Sequence, residues 1–232
     1  MQSKPEHVHR HIITGILGKT RMGKTTFMRE LLKSEKRLCM IDPTGNPMLD
    51  GYFEMRNLKE AAEALTCEEF QIVCRFSEDE TLALMRMLFH PALCDLTIAF
   101  DEISVYSSIE KSSLEINKLF LQGGRFNKRI VWNTQRAANV SRNVTTQSTL
   151  MLSFRLDEAA DTRYLNSKFR NGRFLEYLPA GNYVPVKGDQ DDLDFASEIY
   201  GFDFSQDLTL SYITLKCRKP QWWHNQGNLP LE

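Results

Sequence analysis

Gly18-Lys19-Thr20-Arg21-Met22-Gly23-Lys24-Thr25 fits the pattern G-x-x-x-x-G-K-[ST], between an apolar run and a stretch with helical spacing. Glycines at this spacing let backbone N–H groups turn inward around phosphate oxygens, and the N-terminus of the following helix adds partial positive charge. Lys24 is placed to reach β- and γ-phosphates, and Thr25 to offer its hydroxyl to Mg2+. A glycine turn with a purely structural purpose leaves the Lys-Thr pair at the helix start unexplained. Gly18, Lys19, Thr20, Arg21, Met22, Gly23, Lys24, Thr25 and Thr26 are therefore the expected nucleotide-binding residues, with ATP and Mg2+ as the ligands.

Leu96-Thr97-Ile98-Ala99-Phe100-Asp101-Glu102 sets two carboxylates at the end of a continuous apolar run. Open α/β sheets bind ligands at the carboxyl ends of their strands. Asp101 can join the metal shell, and Glu102 can polarise a water for in-line attack on a γ-phosphate. An activated water suits hydrolysis, whereas a small-molecule kinase needs a substrate hydroxyl. Arg129-Ile-Val-Trp-Asn133-Thr134-Gln135 is a third strand-like run ending in polar amides. Beside phosphates, such an amide could bond the γ-phosphate or the attacking water. Taken alone, Asn-Thr-Gln is an ordinary turn.

These groups need a scaffold that brings several strand ends together. Apolar, β-prone runs at Ile12 to Leu17, Arg37 to Ile41, Phe70 to Phe76, Leu96 to Phe100, Arg129 to Trp132 and Leu150 to Phe154 read as strands. Thr26 to Lys33, Leu58 to Leu65, Asp79 to Leu88 and about Lys111 to Leu121 have helical spacing, the last ending at Gly123-Gly124. Asp42-Pro-Thr-Gly-Asn46 is a dense turn signal. The alternation predicts an α/β domain with right-handed crossovers and a mostly parallel sheet flanked by helices. The expected core spans residues 1–176. Beyond it, Pro/Gly/Asp-rich sequence over 177–232 predicts a hairpin and tail packed on the core or extending from it.

With 232 residues, 42% hydrophobic and 25% charged, the chain has globular composition rather than that of a fibre or a disordered tail. No apolar run approaches the ~18–20 residues of a membrane span, and the N-terminal sequence lacks a signal-peptide stretch, which predicts a cytosolic protein. Cys39, Cys67, Cys74, Cys94 and Cys217 contain no C-x-x-C pair and read as buried free thiols. Net charge is −1, but its distribution is uneven. Residues 1–40 hold 9 basic and 3 acidic side chains, 41–110 hold 4 and 14, 111–176 hold 12 and 5, and 177–232 hold 4 and 8. Two basic blocks are thus concealed by two acidic ones, and such asymmetry can mark a polyanion partner or simply alternating solvated faces.

The order GKTRMGKTT, CMIDPTGN, LTIAFDE, QGGRFNKRIVWNTQR and VTTQSTLMLSFRL resembles the FtsK/HerA superfamily of P-loop DNA-pumping ATPases, over about residues 10–165. The resemblance implies a P-loop NTPase fold of the ASCE (RecA-like) type, in which the sensor strand separates the P-loop strand from the Walker B strand. It also implies hexameric rings around double-stranded DNA. Arg125 matches the arginine that reaches into a neighbouring subunit's nucleotide site, with Lys128 and Arg129 as substitutes, and Gln135 matches the sensor glutamine. Lys24, Glu102, Gln135 and Arg125 are then the expected catalytic set, with Thr25 and Asp101 on Mg2+. The short motor is most similar to genome-packaging ATPases of tailless, membrane-containing (tectivirus-like) double-stranded DNA phages. That similarity implies a host-cytoplasmic or virion-associated protein, with capsid or membrane proteins as partners at a packaging vertex. Conjugation and extrusion ATPases share the same motifs, and a nucleotide-dependent switch would share the same phosphate site.

Within the basic block, Arg136 and Arg142 flank the loop after the sensor strand and are the candidate DNA contacts, by salt-dependent phosphate binding without sequence readout. Service at a subunit interface, or plain solvation, is an equal alternative. His7, His9 and His11 alternate on one strand face but have only Glu6 as a nearby carboxylate, which argues against a metal site. Leu84, Met87 and Leu88 follow helical spacing and read as core. Trp222-Trp223 could anchor to a partner or a membrane interface, or pack back onto the domain.

Overall fold

The computed structural model describes residues 12–110, 112–123, 127–168, 175–176, 178 and 180–201. Its strands are β1 (Ile13–Leu17), β2 (Arg37–Ile41), β3 (Phe53–Met55), β4 (Phe70–Cys74), β5 (Thr97–Phe100), β6 (Arg129–Thr134), β7 (Leu150–Phe154) and β8 (Tyr183–Lys187). They form one eight-stranded sheet in the order β3-β4-β2-β5-β6-β1-β7-β8. Every pairing is parallel except the last, where β8 runs antiparallel to β7. The sensor strand β6 lies between the P-loop strand β1 and the Walker B strand β5, as the resemblance implied. The α/β class, with a mostly parallel sheet flanked by helices, agrees with the sequence pattern.

Seven helices cover the sheet: α1 (Lys24–Leu32), α2 (Leu58–Leu65), α3 (Glu78–Leu88), α4 (Leu114–Gln122), α5 (Arg142–Gln147), α6 (Ala159–Lys168) and α7 (Gln190–Tyr200) among the described residues. Strand alternation sorts the core into two layers. Ile13 and Leu17 pack with Leu84, Leu88, Leu119 and Val144 of α3, α4 and α5. Ile12 and Ile16 point the other way, to Phe27, Met28 and Leu31 of α1 and Leu193 and Ala196 of α7. Because both faces are covered, the central strands carry uninterrupted apolar sequence rather than alternation; β1 and β7 are buried throughout.

Helix starts follow side-chain chemistry. Ser77 caps α3 in a reciprocal box with Glu80, and Asn57 and Ser113 accept from the third residue of α2 and α4. α1 has no side-chain cap and begins after Gly23, leaving its first N–H groups turned toward the phosphate loop.

Three expectations need correction. The described part of the segment beyond 176 supplies β8 and α7 rather than a hairpin, because Val184 and Val186 bury against β7 and an Asp189–Asp192 capping box starts a helix. β3 is an additional strand, too short to leave a periodic signal. Of the cysteines, Cys39 and Cys74 are buried but Cys67 and Cys94 are exposed, since both sit in loops between elements. Leu84 and Leu88 are core, and Met87 packs against it half-buried. His7, His9, His11, Cys217, Trp222 and Trp223 lie outside the described residues. Among the described residues, no helix is long and apolar enough to cross a membrane, and no group of three or more His, Cys, Asp or Glu could hold a metal ion.

Candidate nucleotide site

The carboxyl ends of β1, β5, β6, β2 and β7 converge on one rim of the sheet. The P-loop leaves β1 at Gly18, whose φ of 150° and packing exclude a side chain: a Cβ there would lie 2.6 Å from Cβ of Phe154. Gly23, at φ 103°, makes the second turn. The loop is tied to the sheet on both sides, with Gly18 N–H donating to the Thr134 carbonyl (3.2 Å) and Lys19 N–H to the Arg155 carbonyl (2.9 Å). Behind it, Phe27, Phe154 and Tyr183 meet edge-on or tilted with centroids 4.6–5.8 Å apart and pin α1 to β7 and β8.

Lys24 is buried, and its ammonium donates to the Lys19 carbonyl at 3.0 Å. Burial pushes its pKa down, while the nearby charges of Glu102 and Asp101 push it back up. Phosphate oxygens would add to the second effect and favour the charged ammonium. Lys19 is exposed and ion-pairs with Asp157. The Thr20 hydroxyl donates to Oε1 of Gln135 at 2.6 Å, Arg21 is exposed with φ 64°, and the Met22 carbonyl accepts from Gly181 N–H at 3.1 Å. Thr26 is exposed on the first turn of α1.

The fold brings Thr25 and Asp101 together, the hydroxyl donating to Asp101 Oδ1 at 3.4 Å. Asn133 also donates to Oδ1 of Asp101, at 2.5 Å, and accepts from the Glu102 backbone N–H at 2.9 Å. Glu102 itself has φ 65°, a left-handed conformation uncommon for a residue with a Cβ. Its carboxylate is held from three sides: Thr134 Oγ1 donates at 2.6 Å, Gln135 N–H at 3.1 Å and the Ser104 hydroxyl on the Oε1 side. β6 and the residue after it thus address both carboxylates, Asp101 through Asn133 and Glu102 through Thr134 and Gln135. A hydroxyl and a carboxylate are hard oxygen donors, the chemistry a magnesium ion takes, so the residues present fit the metal that the P-loop pattern implies.

Several expected residues have other neighbours. Arg136 donates from Nε to Oδ2 of Asp161 at 3.0 Å, and Asp161 is fully buried, so this arginine closes an intrachain ion pair at the loop after β6. Arg142 starts α5 and is exposed. Arg129 pairs with the buried Glu35 at 2.6 Å and also donates to Thr97, at the amino-terminal end of the strands. Lys128 is buried and donates to the carbonyls of His90 and Leu93. Both substitutes for the arginine finger are therefore engaged inside the chain, at the end of the sheet away from the P-loop. Arg125 lies outside the described residues.

Sequence reasoning missed a further group. The loop after β2, a turn signal within the CMIDPTGN segment to which the sequence assigns no site residue, delivers Asn46 to the site: its Nδ2 donates to Thr25 Oγ1 at 3.2 Å and to Asp101 Oδ2 at 3.0 Å. Thr44 Oγ1 approaches the same carboxylate at 3.5 Å.

Solved structures share the fold. The genome packaging NTPase B204 from Sulfolobus turreted icosahedral virus 2, in complex with sulfate, superposes with a TM-score of 0.63 at 15% identity, covering 75% of this chain and 90% of that one. The fold is similar to that of a viral genome-packaging NTPase. The same protein with AMPPCP gives 0.62 at 15% identity, over 77% of this chain and 98% of the other. B204 described as the DNA-packaging ATPase from Sulfolobus turreted icosahedral virus gives 0.59 at 14% identity, over 77% and 98%. No family model matches the chain, and no curated protein sequence matches it. The likeness is one of fold, which the P-loop NTPase architecture shares.

Proposed function

We propose that this protein is an ATP-hydrolysing motor that moves double-stranded DNA, in the packaging of a viral genome into a preformed capsid. The observation that carries the hydrolytic part is the fixed carboxylate of Glu102, held by Thr134, Gln135 and Ser104 beside the buried Lys24 and the Thr25–Asp101 pair. A carboxylate oriented in this way, next to a phosphate cradle, suits proton acceptance from an attacking water. In this reading Lys24 and the backbone from Gly18 to Thr26 bind the phosphates. Thr25 and Asp101 hold Mg2+, which supplies neutralisation of phosphate charge. Gln135 senses the γ-phosphate, and Arg125 acts in trans from a neighbouring copy in a hexameric ring.

The DNA-pumping part is supported by the motif order and by the likeness of fold to packaging NTPases. A virus with an internal membrane, the host cytoplasm as the working compartment, and capsid or membrane proteins as anchors complete the reading. The test is ATP hydrolysis with and without double-stranded DNA across a salt series, on material sized by light scattering. DNA should raise the rate, with a stimulation that falls as salt rises, and Arg142→Ala should flatten the salt slope by about one phosphate contact, roughly 0.9 in log–log units. A rate indifferent to DNA at every salt concentration would instead point to a nucleotide-dependent switch.

A further inference from the structure

The loop after β2 is more constrained than a turn requires. Asp42, almost fully buried, accepts at Oδ1 from the Thr44 N–H (3.1 Å) and hydroxyl (3.0 Å), and at Oδ2 from the Asn46 N–H (2.8 Å) and Arg75 Nε (2.8 Å). Arg75 also donates to the Asn46 carbonyl at 3.0 Å, to Asp50 at 2.8 Å and to Glu54 at 2.9 Å. Both backbone groups of Asn46 are thereby held, one by the buried Asp42 and the other by its half-buried partner Arg75. Its side-chain oxygen accepts from Met48 N–H at 3.0 Å, which fixes which way the amide faces. Both N–H bonds of the amide nitrogen are then directed at Thr25 and Asp101.

We infer that Asn46 is a positioning residue for the divalent cation: it orients the Thr25 hydroxyl and the Asp101 carboxylate before metal arrives, and Arg75 and Asp42 hold it in place. This rests on the nucleotide-site reading above. A donor that steers a carboxylate acts one step removed from the metal, and removing such partners typically costs about 10–100-fold in metal affinity. Without the amide, the hydrogen bond to Oδ2 of Asp101 left among the described residues is the long approach of Thr44.

The test is binding of a fluorescent, non-hydrolysable ATP analogue to the full chain, titrated with Mg2+ and repeated in EDTA. Asn46→Ala should raise the Mg2+ midpoint on the order of tenfold and leave metal-free nucleotide affinity unchanged. Arg75→Met should shift the midpoint in the same direction, and the double variant should shift it no further than the larger single change, since Arg75 acts through Asn46. An unchanged midpoint in Asn46→Ala overturns the inference, as does an equal loss of affinity with and without Mg2+, which would mark a merely structural loop. Failure of the unaltered protein to bind the analogue at all would overturn the nucleotide-site reading instead.

Discussion

Two side chains divide the chemistry at the P-loop. Lys24 is buried, donating to the Lys19 carbonyl near two carboxylates, whereas Glu102 is held by the end of β6 and the residue after it. Lys24→Ala should therefore lose nucleotide binding and turnover together. Glu102→Gln should lower turnover by about 10²–10⁴-fold, the usual contribution of a general base, while equilibrium binding of ATP stays within about twofold of the unaltered protein. Turnover by Glu102→Gln at the original rate would remove the base role assigned to it. That Lys24, Thr25, Asp101 and Glu102 come together was legible, because each lies in a short run at the end of an apolar strand. Asn46 was not, since its place at the site comes from a loop that Asp42 and Arg75, 33 residues apart, help to hold there. The partner of Arg136 was hidden in the same way: the basic block around it gives no sign that its guanidinium pairs with the buried Asp161.

At the level of elements, β6 does most to organise the site. It pairs with β1 and β5 at once, so Asn133, Thr134 and Gln135 reach the P-loop on one flank and the carboxylates on the other. That pairing depends on a small residue: Gly15 sits opposite Trp132, and a Cβ on it would lie 2.4 Å from the buried indole. Gly15→Ala should therefore destabilise by about 1–3 kcal/mol, read as a Tm several degrees lower, with nucleotide affinity falling as the strands separate. An unchanged Tm would show that the indole can move aside. The six apolar strand runs were visible in sequence because continuous hydrophobicity is what burial on both faces demands. β8 was hidden by its proline and by flanking turn residues. For α7, the Leu193, Ala196, Tyr200 spacing and the acidic capping box were signals available to find it.

For the molecule as a whole, the proposed ring makes each nucleotide site a shared one. In that reading the described residues of one chain would supply cradle, metal donors, base and sensor, and both substitutes for Arg125 are committed to internal partners. If Arg125 acts across a junction, mixing Arg125→Ala with Lys24→Ala should restore some hydrolysis, because junctions that pair an intact cradle with an intact arginine reappear. Mixtures no more active than either variant alone would place the arginine in its own chain's site or outside catalysis. Near-zero net charge is no obstacle to a polyanion partner here, since the excess of basic residues over 111–176 is offset by acidic residues elsewhere.

The sheet's margins bear on how copies can meet. Among the described strands, one outer strand, β3, has three residues with Glu54 at its centre, and the other, β8, carries Pro185. Short, charged or proline-bearing edges are poor templates for adding another chain's strand. Association should then proceed through side-chain surfaces and remain reversible on dilution, and concentrated stocks should resist the fibrillar aggregation that an open, flat sheet edge invites.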